Sequence, residues 1–405
     1  MNRSAQFQKS LLATAIAIAA LSASAWRAEA APYVQTNLVS DIPGLATITE
    51  PTLVNPWGIS HTATSPFWIS DQVQSVANLW SVTGQTNVTK VTAVNPPTGN
   101  IAITAAPPTA SGPQGPTGQV ANENPSPSSF PVGNGGNGGS AHFIFAGTAG
   151  TISAWDTGAT AFVQATTAGA SYTGLAINSA QNMLYAANDA GTGSINVFNS
   201  SFTPVSLGAT AFATPAAIAA LNLLPFNAQD INGQVYVTYA PSGRPAQETA
   251  VLGAGAVAIF TESGTLVKTI IGGNLAAPWG VALAPAGFGE FANDLLVGNF
   301  SVLNSEIDAF NPASEAFLGT IPVDPGSGQT AGGLWALNFG IGGSNGDPNT
   351  LYITDGINGL KGGLFAAIDP VPEPSTLALL GAGLLSLCAW RRRRSARPRG
   401  ALLKG

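Results

Sequence analysis

Pro278-Trp279-Gly280-Val281 opens a turn-then-apolar phrase, Asp294-Leu-Leu-Val297 follows as a short apolar run, and Glu306-Ile-Asp-Ala-Phe310 closes as an alternating run ending on an aromatic. Apolar runs of four to six residues between Gly, Pro and Asn clusters read as strands. The opening phrase recurs as Pro56-Trp57-Gly58-Ile59, Pro116-Thr117-Gly118-Gln119-Val120, Tyr172-Thr173-Gly174-Leu175, Pro225-Phe226-Asn227 and Gly332-Gly333-Leu334-Trp335. Taking the Gly or Asn as the marker gives positions 58, 118, 174, 227, 280 and 333, a pitch of 53 to 60 residues. The second run recurs as Phe67–Ser70, His142–Phe145, Met183–Ala186, Gln234–Val237 and Thr350–Ile353. The third recurs as Asn78–Trp80, Thr151–Trp155, Ser194–Phe198, Ala256–Phe260 and Gly363–Phe365. A fourth is visible in Asn87–Val94 and Thr265–Ile271.

Four short strands per period is the content of one β-propeller blade. The expectation is an all-β, six-bladed propeller of four-stranded blades over residues 31–370, with repeats starting near 56, 116, 172, 225, 278 and 331. The sixth repeat has no fourth strand of its own. Tyr33-Val-Gln-Thr-Asn-Leu-Val39, unused before repeat one, is expected to complete the last blade and close the ring. Closure leaves no open seam. Residues 95–140 are the longest interruption, with one strand expected at Pro116–Asn122, a loop over 123–140 and a mobile tip at Gly133–Gly139; a helical insertion is expected over Thr214–Leu224.

Composition agrees with this. Of 405 residues, 45% are hydrophobic and 8% charged, with 48 Gly and 29 Pro, whereas about 25% charge is usual in soluble domains. Long helical bundles are disfavoured. One cysteine and two histidines exclude a disulfide framework and a thiolate or multi-histidine metal cage.

The two ends read as addresses. Residues 1–30 have the parts of a signal peptide: Arg3 and Lys9, an apolar run from Leu11 to Leu21, and Ala28-Glu29-Ala30 as the cleavage site, with Ser22–Ala25 as the second choice. The Sec translocon and signal peptidase are the partners this implies. Residues 371–405 carry Pro372-Glu373-Pro374, an apolar stretch over 377–390 and a basic tail over 391–405 that begins Arg391, Arg392, Arg393, Arg394. Fourteen residues rise ~21 Å as a helix, so a short transmembrane helix is expected there. The basic tail stays inside by the positive-inside rule, and Gly381 and Gly383 suit a segment that is processed rather than a permanent span. Cys388 lies within the helix as a small apolar filler.

Proline-flanked triplet, short helix and arginine cluster, in that order, closely resemble the PEP-CTERM sorting signal of exopolysaccharide-producing Gram-negative bacteria. The resemblance implies recognition by an exosortase, a membrane-embedded protease, with a transient inner-membrane anchor before processing. The repeats resemble NHL-type six-bladed propellers, with an Asp or Asn after the second strand at Asp71, Asn188-Asp189, Asn299 and Asp355. Residues 33–370 are similar to a family of PEP-CTERM-associated propellers; that resemblance implies a fold and a location, and no activity.

Between Ala31 and Pro370 only Lys90, Arg244, Lys268 and Lys361 are basic, against eighteen acidic residues, a net charge of −14. Four cations cannot neutralise a phosphate backbone, so nucleic acid is excluded as a partner. Neutral glycans, matrix proteins, divalent cations and basic partners stay open.

The first inner-strand residues of a propeller face its channel, which places Trp57, Asn227, Trp279 and Trp335 at one mouth as a possible ligand-binding set. Aromatic faces there would stack on sugar rings or pack between blades. Asp71, Asp189, Asp230 and Asp355 are calcium candidates through their oxygens, against a structural role as turn caps. His61 and His142 have no partner that would mark a catalytic base. Glu306 and Asp308, two apart on one strand, share a face expected to be solvated. No catalytic residue is assigned. The leading reading is a non-catalytic binding or structural protein of the envelope or extracellular polysaccharide matrix. The alternative is a calcium-dependent hydrolase or lactonase at the channel mouth, for which Asn55, Asn122, Asn178, Asn227 and Asn338 would add ligands.

Overall fold

The structure, a computed structural model, describes residues 32–92, 96–104, 113–124 and 126–371. The expected signal peptide, with Ala28 and Ala30, and the expected sorting segment from Pro372 onward, including Glu373, Pro374, Cys388 and Arg391 to Arg394, lie outside the described residues. Tyr33–Asp369 form one compact unit.

Strands β1 (Tyr33–Ser40) and β2 (Ile48–Thr49) precede the first repeat. Repeat one supplies β3 (Pro56–Ser60), β4 (Phe67–Asp71), β5 (Val76–Thr83) and β6 (Asn87–Lys90), and is followed by β7 (Asn100–Ile103). Repeat two supplies β8 (Gln119–Ala121), β9 (Phe143–Gly147), β10 (Thr151–Trp155) and β11 (Thr160–Thr166). Repeat three supplies β12 (Tyr172–Ile177), β13 (Met183–Asn188), β14 (Ser194–Asn199) and β15 (Pro204–Val205). Repeat four supplies β16 (Leu223–Ile231), β17 (Gln234–Pro241), β18 (Ala256–Thr261) and β19 (Leu266–Ile271). Repeat five supplies β20 (Pro278–Leu283), β21 (Leu295–Asn299), β22 (Glu306–Phe310) and β23 (Phe317–Pro322). Repeat six supplies β24 (Leu334–Phe339), β25 (Leu351–Asp355) and β26 (Leu364–Pro370).

The fold is all-β and propeller-like. Repeats three, four and five each form a separate four-stranded sheet in chain order. The last sheet runs β2-β1-β26-β25-β24, so β1 lies beside β26 in the place its sequence suggested. The expected division into six separate blades does not hold, because repeats one and two share a nine-stranded sheet. The cause is β7, which pairs antiparallel with β5 (Ala77 opposite Ile101) and parallel with β11 (Thr160 opposite Ala102). At the other side the sheet's terminal strands meet, where Gly58 N–H donates to Thr117 O at 3.2 Å. The result is a near-closed barrel alongside four separate sheets. Trp68 stacks on Phe143 inside it, ring centroids 4.0 Å apart, with Ile101, Ile103 and Phe145 buried around them.

The glycines of the recurring phrase have a clear packing cause. A Cβ on Gly58 would stand 3.0 Å from Gln119 N, one on Gly118 2.5 Å from Leu175 N, and one on Gly280 2.3 Å from Trp335 O. Each inner strand runs backbone-close to the next, and only hydrogen fits. In repeat four Asn227 takes this place and donates from Nδ2 to Trp279 O at 2.9 Å. In repeat six the register corrects the sequence marker. Leu334 pairs with Asp355 as Pro56 does with Asp71 and Pro278 with Asn299, so Ala336, not Gly333, holds the glycine's place.

The helical insertion is shorter than expected, covering Ala216–Ala219 only. Pro215 precedes it, and Asn222, in the left-handed region at φ 56°, stops the chain from continuing as helix before β16. The Gly133–Gly139 loop lies against β10 and β11. Asp156 Oδ2 accepts from Asn137 and Gly139 N–H, and Gln164 Oε1 from Gly133 and Asn134 N–H.

Candidate functional site at the inner-strand hub

A β-bulge interrupts the register at the start of β3, β12, β16, β20 and β24. Bulges re-aim side chains, and here they lie at the residues that fill the hub. Trp57 and Trp335 stack with centroids 3.6 Å apart, and Trp279 meets both edge-on at 6.1 and 5.7 Å. Phe226 and Phe300 pack on Trp335 at 6.0 and 4.3 Å. Trp57 and Trp335 are fully buried, with Trp279 and Asn227 4% and 2% exposed. The four residues singled out from sequence are thus brought together, and they form a closed aromatic cluster rather than an open rim.

Polar atoms tie this cluster to other repeats. Trp279 Nε1 donates to Thr173 O at 3.0 Å, Trp335 Nε1 to Asn55 Oδ1 at 2.9 Å, and Thr354 Oγ1 to Trp57 O. Trp57 Nε1 is buried with no partner among the described residues.

Over this cluster stands Arg244, which the sequence marked only as one of four cations. It begins the short helix Arg244–Glu248, between β17 and β18. Its Cζ is 4.7 Å from the Trp57 ring centroid and 5.1 Å from those of Phe300 and Trp335. Among the described residues it has no ion pair, and its buried Nη1 has no hydrogen-bond partner. Burial pushes its pKa down to about 10, against the pull of Asp189 and Glu248. Cation–π attraction of a desolvated guanidinium is worth ~2 kcal/mol or more, and here it takes the place of a salt bridge.

In repeats one, three and five the aspartate or asparagine that ends the second strand clamps the turn before the inner strand. Val54 N–H donates to Asp71 Oδ2, Ser171 N–H to Asn188 Oδ1 and Ala276 N–H to Asn299 Oδ1, at 3.1, 2.9 and 2.9 Å. Asn188 rather than Asp189 fills this role; Asp189 instead accepts from Gln247 Nε2 at 3.4 Å. Asp71 is buried, which raises its pKa well above its ordinary value. Asp355 is fully buried with neither oxygen partnered among the described residues, and burial alone pushes it up to about 7. Asp230, half-buried, is raised to about 6 by burial, against the Gly233 N–H and with the adjoining Glu262. Glu262 Oε1 accepts from both Ser179 N–H and its hydroxyl.

Among the described residues no three His, Cys, Asp or Glu side chains converge on a point that would hold a metal ion. His61 Nε2 lies 3.1 Å from Asn338 Oδ1, and burial lowers its pKa. His142 is exposed beside Trp155. Asp308 departs from expectation. It is buried, accepting from Asn299 Nδ2 and Thr320 Oγ1 at 2.9 Å each, because its face of β22 packs inward; burial raises it to about 6.

Residues 370–394 match the PEP-CTERM protein-sorting motif. The chain carries that sorting motif. The motif implies export to the cell envelope and sorting by an exosortase through the C-terminal segment. No helix among the described residues is long and apolar enough to cross a membrane, and the span expected at 377–390 lies outside them. No curated protein matches this PEP-CTERM chain significantly. Among the similar solved structures are three at 15% identity. One is a Bacteroides caccae protein of unknown function (TM-score 0.34; 53% of this chain and 66% of that one). Another is in the nidogen/laminin complex (0.36; 53% and 67%). The third is a gluconolactonase of Xanthomonas campestris (0.36; 56% and 82%). The PEP-CTERM chain thus spans just under two thirds of the length of the first of these.

Proposed function

We propose that this protein is a non-catalytic binding or structural component of the cell envelope or extracellular polysaccharide matrix of a Gram-negative bacterium. The PEP-CTERM motif carries this reading. The route is Sec export, signal-peptide cleavage, a transient inner-membrane anchor through 377–390 and exosortase processing near Pro372-Glu373-Pro374. The hub favours the binding or structural reading: buried tryptophan and phenylalanine rings and one arginine fill it. A calcium-dependent lactonase needs several oxygen ligands at one point, and Asp71, Asp189, Asp230 and Asp355 serve or lie in separate repeats. We count the ring as six NHL-like blades with the first two fused; the successive contacts of β3, β8, β12, β16, β20 and β24 favour this count.

The test is fractionation of cells expressing the wild-type chain and a variant with Pro372, Glu373 and Pro374 all replaced by alanine. The wild type is expected in the outer envelope or matrix and the variant in the inner membrane. Equal distribution of the two would overturn exosortase sorting. A rise in melting temperature with excess Ca²⁺, reversed by chelator, would instead favour the metal-dependent alternative.

A further inference from the structure

The hub has the composition of a cation receptor already holding a cation. Three aromatic rings, Trp57, Trp335 and Phe300, surround the Arg244 guanidinium, with centroids within 5.1 Å of its Cζ. Aromatic cages of this kind hold alkylammonium and guanidinium groups through the negative faces of the rings. Arg244 is an incompletely satisfied occupant. It has no ion pair among the described residues, and its Nη1 is buried without a partner. A buried donor left unpaired is costly, so the rings hold Arg244 against a standing penalty.

The segment that carries Arg244 is jointed. Gly243 (φ +83°) and Gly253 (φ +91°) bracket it, and neither has a neighbour within 4 Å of where a Cβ would stand. Val251 and Leu252 of the same segment are 62% and 47% exposed. Its far end is fixed, as Glu248 O and Ala250 O accept from Ser301 Oγ and Glu248 O also from Val302 N–H. Among the described residues, the side-chain tie near Arg244 across to repeat three is the long Gln247–Asp189 hydrogen bond. Asp189, Glu248 and the −14 charge of residues 31–370 draw cations toward this end of the hub.

We propose that the aromatic cage is a binding site for an organic cation, a guanidinium or alkylammonium group presented by a ligand, and that Arg244 occupies it in the free protein as an internal competitor. The arriving cation replaces Arg244, whose guanidinium swings on Gly243 toward Asp189. A ligand carbonyl beside the cation would satisfy the unpartnered Trp57 Nε1. The proposal rests on the binding-protein reading above and names the ligand class at its hub.

Titration of the full chain with arginine amide and with tetramethylammonium, followed by tryptophan emission, tests it in wild type, Arg244→Ala and Gln247→Ala. Apparent affinity falls by the fraction of sites that are open, so a cage nine-tenths occupied by Arg244 predicts binding about tenfold tighter in Arg244→Ala. Gln247→Ala is expected to fall between. A folded Arg244→Ala with no saturable response, or with wild-type affinity, overturns the proposal and leaves Arg244 a structural plug. If Arg244→Ala does not fold, Gln247→Ala decides, and wild-type affinity in it overturns the proposal. A response to glucose in place of the cations also overturns the cation site while upholding a binding protein; envelope fractionation, independent of either variant, reports on the sorting.

Discussion

Repeats one and two and repeats three to five begin from the same inner-strand phrase and end differently. Inside, both regions use close backbone contact at a glycine or asparagine: Gly58 and Gly118 in the barrel, Gly174, Asn227 and Gly280 in the separate sheets. Outside they diverge. In the barrel β7 pairs at once with β5, the third strand of repeat one, and with β11, the outer strand of repeat two. In repeats four and five the outer strands β19 and β23 end their sheets, and Leu266, Val267, Phe317 and Leu318 are 42–46% exposed there. The inner half of each repeat is set by its recurring phrase, and the outer edge by whatever sequence fills the gap to the next.

That division is open to attack first at β7. Ile101 is fully buried between the two repeats. Ile101→Asp places a charge there with no partner, an expected loss of about 4 kcal/mol. Hydrogen exchange is expected to quicken in β5, β7 and β11 and to stay slow in β12 to β23. Equal acceleration everywhere would show that barrel and sheets unfold as one unit, and the contrast would lose its meaning.

The inner contact is tested by Gly280→Val. Its Cβ would fall 2.3 Å from Trp335 O, a backbone atom that cannot turn aside. A loss of about 3 kcal/mol is expected by denaturant titration. Gly84→Ala, with open space around it but φ +60°, is expected to lose about 1 kcal/mol from backbone strain alone. Similar losses for both would remove close approach as the reason for the repeated glycine.

How much of this was legible in the sequence follows the same line. The phrase at Trp57, Trp279 and Trp335 was readable because packing at the hub imposes it again and again. β7 was not, since Asn100-Ile-Ala-Ile103 is four residues with no counterpart in other repeats. Ala336 was hidden because methyl replaces hydrogen where glycine was the marker. Arg244 was invisible as a site residue, because no local pattern tells a loop cation that reaches an aromatic cluster from one left in water. The burial of Asp308 depends on Asn299 and Thr320, contributed by neighbouring strands.

Asp355 separates the last repeat from the others. Asp71, Asn188 and Asn299 each accept a backbone N–H at this register, while Asp355 accepts nothing among the described residues. Its pKa is raised by burial from 3.8 to about 7. The folded state therefore holds the proton more tightly than the unfolded one, and this group's contribution to stability falls as pH rises from about 4 to about 7. The full linkage is at most about 4 kcal/mol. Asp355→Asn is expected to gain about 2 kcal/mol at pH 8 and almost nothing at pH 4. A gain that does not depend on pH would mean that Asp355 titrates alike in the folded and unfolded states, with no linkage to burial.

The smallest effect concerns the outer edges themselves. Phe317 on β23 is 43% exposed, at the end of its sheet. Phe162 on β11 is partly buried, paired through its strand to β7 and pressed by the Gly133–Gly139 loop, where a Cβ on Gly135 would stand 2.5 Å from its ring. Phe317→Lys is expected to change stability by no more than about 0.5 kcal/mol, because the ring leaves water only in part. Phe162→Lys should cost more, since the loop must be lifted to let the ammonium reach solvent. An unpaired apolar edge favours association with another chain, and lysine there blocks it. Light scattering across a concentration series is therefore expected to show less self-association for Phe317→Lys than for wild type. If Phe317→Lys instead destabilises as much as Phe162→Lys, the outer edge of repeat five is as well covered as that of the barrel, and the two regions differ in strand pairing alone.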